Sequence, residues 1–127
     1  MSLRNVHDYA LPVWQRFESP SLAGRLEGMG VLEAQAGSPA ARSVLRLSVR
    51  MAQGRIEAAR FQAYGCPTAI AVGQWLAEQL QAGGCGDRPP EASQIRAALE
   101  IGEDKAHCAF MGEDVVRALW NQMKSPA

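Results

Sequence analysis

No segment of the 127-residue sequence approaches the roughly twenty consecutive apolar residues that a membrane-crossing helix needs. The first residues also lack the basic-then-apolar pattern of a secretion signal, so the expectation is a soluble, unexported, cytoplasmic protein with no membrane partner. Net charge is missing too: thirteen Lys and Arg balance thirteen Asp and Glu. No overall field therefore draws the chain to nucleic acid or to anionic lipid, and both are set aside as partners. Cysteine is scarce, with three residues and no CxxC pair. An odd, unpaired set argues against a secreted disulfide framework and for a reducing compartment in which thiols stay free. No repeat, low-complexity stretch or domain boundary is visible, so residues 1–127 read as a single domain, long enough to bury a core unaided.

What is present is periodicity. Tyr9, Val13, Trp14 and Phe17 recur at helical steps, predicting a short helix from Asp8 to Phe17 that Ser19-Pro20 ends. Leu26 to Ala36, interrupted by Gly28 and Gly30, reads as a weak edge strand. In residues 43–51, Leu45, Leu47, Val49 and Met51 alternate with Arg46, Ser48 and Arg50, the period-two signature of a sheet with one wet face. Gln53-Gly54 supplies a turn. In residues 55–64 the apolar parity switches between Ile56 and Phe61, which predicts a bulge near Ala59-Arg60. Helices follow from Pro67 to the Gly83-Gly84 stop, from Glu91 to Leu99 and from Ala106 to Met123. Strands followed by helices give an α+β class, with a three-stranded antiparallel sheet and helices packed on one face.

Two thiols occupy special places in this layout. Cys66 and Cys108 each fall at the amino end of a predicted helix, where unpaired N–H groups and the helix dipole favour a thiolate. Thiolates are the nucleophiles and the metal ligands, and His107 adds an imidazole beside Cys108. If the two helix ends converge, Cys66, His107 and Cys108 form a soft N/S pocket suited to zinc, iron or a persulfide. The competing reading is plain: a lone Cys is more often a small buried hydrophobe, and a lone His a capping or surface residue. Cys85, nineteen positions beyond Cys66, lies roughly 28 Å away along an intervening helix and reads as a bystander.

With strands, Tyr64-Gly65-Cys66, Ala69-Ile70-Ala71 and Lys105-Ala106-His107-Cys108 in this order and spacing, the chain resembles the iron–sulfur cluster assembly scaffold family, the IscU/NifU-like amino-terminal domain. The likeness runs from Tyr9 to about Met123, with Pro20 and Gly24 also in place. It implies the SufE/NifU-type fold, a cysteine desulfurase as partner, an iron–sulfur cluster or iron held transiently, and sulfur acceptance at Cys108. Two departures qualify those implications. Ala41 stands where the family has its first cysteine, and Ser43 where it has an aspartate. The family's proline-containing chaperone segment is here Ile101 to Lys105, without proline, which counts against chaperone docking.

Three donors remain where tetrahedral zinc or a cluster iron takes four, so the fourth must come from water, a partner's cysteine or a second copy of the chain. Arg42, beside the altered positions, would repel a cation yet favour thiolates; its alternative reading is a solvated loop residue. The first functional expectation is a divergent assembly scaffold or accessory protein, not an enzyme, that accepts sulfur and binds iron or zinc through Cys66, His107 and Cys108. A second is a cluster-free regulatory module of the same fold that binds a cysteine desulfurase and carries no cofactor, because Ala41 and Ser43 replace two ligands. A third, a thiol enzyme, would pair Cys66 with His107 as base.

Overall fold

The computed structural model describes residues 9–38, 40, 42–83 and 88–124. Its elements run α1 (Leu11–Glu18), β1 (Val31–Ser38), β2 (Ser43–Ala52), β3 (Arg55–Tyr64), α2 (Pro67–Gln81), α3 (Ala92–Leu99) and α4 (Ala106–Lys124), with a 3-10 turn at Glu103–Lys105 leading into α4. The strands form an antiparallel meander in the order β1-β2-β3. Alternation in β2 does what the sequence predicts: Leu45, Leu47 and Val49 are each 0% exposed. Removing side chains of this size from water contributes about 1.5–3 kcal/mol apiece.

Four local expectations shift. The first helix starts at Leu11, not Asp8, with Pro12 in its first turn, where the missing N–H costs nothing. The first strand starts at Val31, beyond Gly28 and Gly30, and not at Leu26. The bulge lies at Glu57: Arg50 pairs with Ala58 and Met51 with Ile56, so Glu57 is the extra residue that moves the inward parity from Ile56 to Ala59 and Phe61. Ser48 departs from its expected wet face and is 1% exposed, its hydroxyl accepting the Leu26 N–H at 3.2 Å. The segment before β1 therefore crosses the outer side of the sheet.

That segment also covers the edge of β3. Ala23 bridges Phe61 in parallel fashion, the Gly24 N–H donates to the Phe61 carbonyl and the Phe61 N–H to the Leu22 carbonyl. The Ala59 N–H is taken by Gln81 Oε1 at 3.1 Å. An otherwise open row of edge donors and acceptors is thereby closed.

On the inner face α2 packs against β2 and β3, and α4 against β1 and β2; α1 leans on α2, and α3 on α4. Two glycines allow the close approach. A Cβ on Gly73 of α2 would lie 2.4 Å from Phe61 Cδ2 and 2.9 Å from Leu45 Cδ1, and one on Gly112 of α4 would lie 2.6 Å from Val72 Cγ1. Polar ties hold the outer elements. Gln74, 3% exposed, accepts the Leu22 N–H and donates to Ser21 Oγ and Glu78 Oε2. The Ala92 N–H that opens α3 donates to Glu113 Oε2 of α4.

Candidate functional site

β3 ends at Tyr64, and the chain turns through Gly65 into α2, whose first helical residue is Pro67. Pro67 fixes the helix start, so Cys66 becomes the cap residue, its backbone extended and its carbonyl accepting from the Ala69 and Ile70 N–H groups. Cys108 is the third residue of α4. Because α2 and α4 lie side by side on the sheet, these amino ends converge, and Cys66 Sγ lies 3.8 Å from Cys108 Sγ. Forty-two positions of sequence separate two sulfurs in hydrogen-bond contact.

Their surroundings differ. Cys66 is half-buried and Cys108 is 0% exposed. Cys66 opens on a shallow depression of about 520 Å³ lined by Arg42, Ala63, Tyr64, Gly65, Cys66 and Ile70. Arg42 stands at the β1–β2 hairpin in a left-handed conformation (φ 58°), and Tyr64 is 64% exposed at the rim. A larger cavity, about 610 Å³ and walled by Met51, Ile56, Leu80, Trp120 and Met123 among others, contains none of the candidate residues.

The two thiols share one proton unequally. The Cys66 thiol is held down to about 5, first because Cys108 donates a hydrogen bond to its sulfur; burial opposes this, while the Ala69 and Thr68 N–H groups and the charge of Lys105 reinforce it. Cys108 is pushed up for the complementary reason: it holds the donated proton, it is buried, and a second negative charge beside Cys66 is disfavoured, with only Lys105 acting the other way. The corner thus carries a half-exposed thiolate on top of a buried thiol.

His107 is not drawn into this pair. It is exposed on the first turn of α4, and among the described residues no three His, Cys, Asp or Glu side chains gather as a metal-binding group. Neighbours on a helix point about 100° apart, so a helix that directs Cys108 inward turns His107 outward. Among the described residues the corner brings together two sulfurs, fewer than the four donors that zinc or a cluster iron takes. Ala41 and Cys85 fall outside the described residues, whereas Ser43 opens β2 with its Oγ 3.2 Å from where a Cβ on Gly65 would stand, so the altered hairpin does border the thiol corner. The sequence reading passed over Lys105 as a functional side chain; a cation one turn before a cysteine at a helix start was the available signal.

Comparison with known proteins matches the chain to one family. The iron–sulfur cluster assembly scaffold protein IscU of Haemophilus influenzae is 32% identical over 118 residues, covering 87% of this chain and 90% of that protein. The IscU scaffold protein of Escherichia coli strain K12 is 30% identical over 125 residues, covering 92% and 94%. Among solved structures, the NifU-like protein (N-terminal) from Brucella abortus superposes with a TM-score of 0.66 at 13% identity, covering 92% of this chain and 94% of that one, a likeness of fold. The model of the NifU-like N terminal domain matches residues 8–125, and the chain belongs to that family.

Proposed function

We propose that this protein works in iron–sulfur cluster assembly as a divergent scaffold-type or accessory protein, one domain over residues 1–127, that takes up sulfur at the Cys66–Cys108 corner. It is not an enzyme, like the relatives named as scaffold proteins. The observation that carries the reading is the 3.8 Å sulfur pair at two helix amino ends, open to solvent through Cys66 alone. Sulfur arrives from a persulfide on a cysteine desulfurase in a reducing, cytoplasmic setting, and Cys66 takes the acceptor role that the family resemblance implies for Cys108, because the accessible Cys66 thiolate meets the donor before the buried Cys108. Iron and cluster are cargo here, and they need donors beyond the described corner, where the two sulfurs and the exposed His107 leave the set incomplete. Those donors are a partner's cysteine, water or a second copy of the protein.

The test is anaerobic incubation with ferrous iron, a cysteine desulfurase and cysteine. The expected result is desulfurase-dependent sulfur on Cys66 and cluster absorption only when a donor-bearing partner is added. No sulfur on the protein under conditions that load an IscU scaffold refutes the reading.

The Arg42 cation beside Cys66 and the two-sulfur donor set favour a second reading, a cluster-free module that binds the desulfurase and regulates it. Capture of the desulfurase with undiminished affinity by a Cys66→Ser/Cys108→Ser double variant, together with no sulfur uptake by the parent, selects that reading.

A further inference from the structure

We infer that the Cys66–Cys108 pair is a sulfide-releasing dithiol: sulfur placed on Cys66 as a persulfide is expelled as hydrogen sulfide when Cys108 closes a disulfide with Cys66. The inference rests on the sulfur uptake proposed above and adds the fate of that sulfur. A scaffold that keeps its cargo surrounds it with donors, but here the only described side chain of that chemistry within reach of Cys66 is a second thiol.

The placement suits displacement. Cys108 Sγ lies beneath Cys66 Sγ at 3.8 Å and is sealed from solvent, while an incoming sulfur reaches Cys66 from the depression bordered by Arg42 and Ile70. The nucleophile therefore comes from the buried side of the pair, and the outer sulfur sits where the open depression meets Cys66. Bond formation at about 2.05 Å closes a gap of about 1.8 Å, within reach of side-chain rotation.

In the loading step a persulfide donor transfers its outer sulfur to the Cys66 thiolate and departs as a thiol. In the second step the Cys108 sulfur bonds to the Cys66 sulfur, the bond to the outer sulfur breaks, and that sulfur leaves with the electron pair and the Cys108 proton as one hydrogen sulfide. The two cysteine sulfurs are oxidised, the outer sulfur is reduced, and no external oxidant enters. An external dithiol then restores the pair, so each loading yields one stoichiometric release.

The experiment uses the full chain in a Cys85→Ser background, loaded anaerobically with glutathione persulfide and freed of glutathione by desalting. Released sulfide, intact mass and the cross-link between tryptic peptides 61–96 and 106–117 are measured. The expected result is about one sulfide per chain together with the cross-link. The Cys108→Ala variant is expected to retain one added sulfur on Cys66 and to release at least about tenfold less sulfide over the same time. A parent protein that keeps its added sulfur, or that releases sulfide without the cross-link, overturns the inference and leaves sulfur uptake standing. No added sulfur and no sulfide in either protein overturns both. Should Cys108→Ala fail to fold, sulfide and cross-link in the parent alone still decide.

Discussion

Replacing Cys108 by Ala removes the largest single influence on Cys66, the S–H that donates to its sulfur. In the parent, Cys66 ionises at about 5, so its alkylation rate should climb through pH 5 and level off well before neutrality. A hydrogen bond to a charged group is worth about 1.5–3 kcal/mol. At about 1.4 kcal/mol per pH unit, losing it moves the midpoint up by about one to two units. The Ala69 and Thr68 N–H groups and Lys105 remain, so the midpoint does not return all the way to an ordinary thiol's. The assay must follow the whole pH profile. A thiolate of higher pKa is also a better nucleophile, by about threefold per unit, and at a single mildly acidic pH this gain offsets much of the loss in thiolate fraction. Iodoacetamide labelling of Cys66 in a Cys85→Ser background, read by mass spectrometry from pH 4 to 10, separates the two: the variant shows a later midpoint and a plateau about three to ten times faster. A parent midpoint near that of free cysteine, or one that Cys108→Ala leaves in place, refutes the shared-proton description.

The same pair sets the pH dependence of stability. A folded-state value below the unfolded one contributes stability that is fully present above the unfolded thiol value near 9 and is lost as pH falls through about 5, while the raised Cys108 reverses the trend above 9; chemical denaturation should therefore show the stability advantage of the parent over Cys66→Ser/Cys108→Ser growing from pH 5 to 9 and shrinking beyond. Gly73→Ala should destabilise by up to about 2 kcal/mol, because crowding Phe61 and Leu45 costs about 1–3 and the better helix propensity returns about 1; a stabilised variant in urea titration contradicts the close packing of α2 on the sheet. Gln74→Leu leaves the Leu22 N–H without its acceptor and should cost about 1–3 kcal/mol, with faster hydrogen exchange at Leu22 and Phe61 as the local signature.

Much of the frame is legible in the amino-acid order because it rests on nearest-neighbour rules. Period-two alternation in β2 and proline at the start of α2 are local devices with local signatures. What escaped depends on contacts between distant segments. Ser48 reads as a wet-face residue until Leu26 is laid across it, and Gln74 reads as an ordinary polar helix residue until Ser21 and Leu22 arrive from fifty positions away. The bulge was visible as a change of parity, yet its position two residues before Ala59 follows from pairing with Arg50 and Met51. At the site, two helix starts and a family pattern mark Cys66 and Cys108 as candidates, but their meeting and the order of access depend on how α4 seats against α2, and that seating hides Cys108.

Gly73 on α2 clears that helix's contact with the sheet, Gly112 on the facing α4 clears the contact between the two helices, and the resulting fit acts as a mechanical gauge. With its backbone seated against the sheet on one side and pressed by α4 on the other, α2 has no slack in which to slide or roll. The spacing between the two cysteines is therefore dictated by main-chain architecture, and a bulkier residue at either glycine would detune the thiol corner from a distance without touching a sulfur.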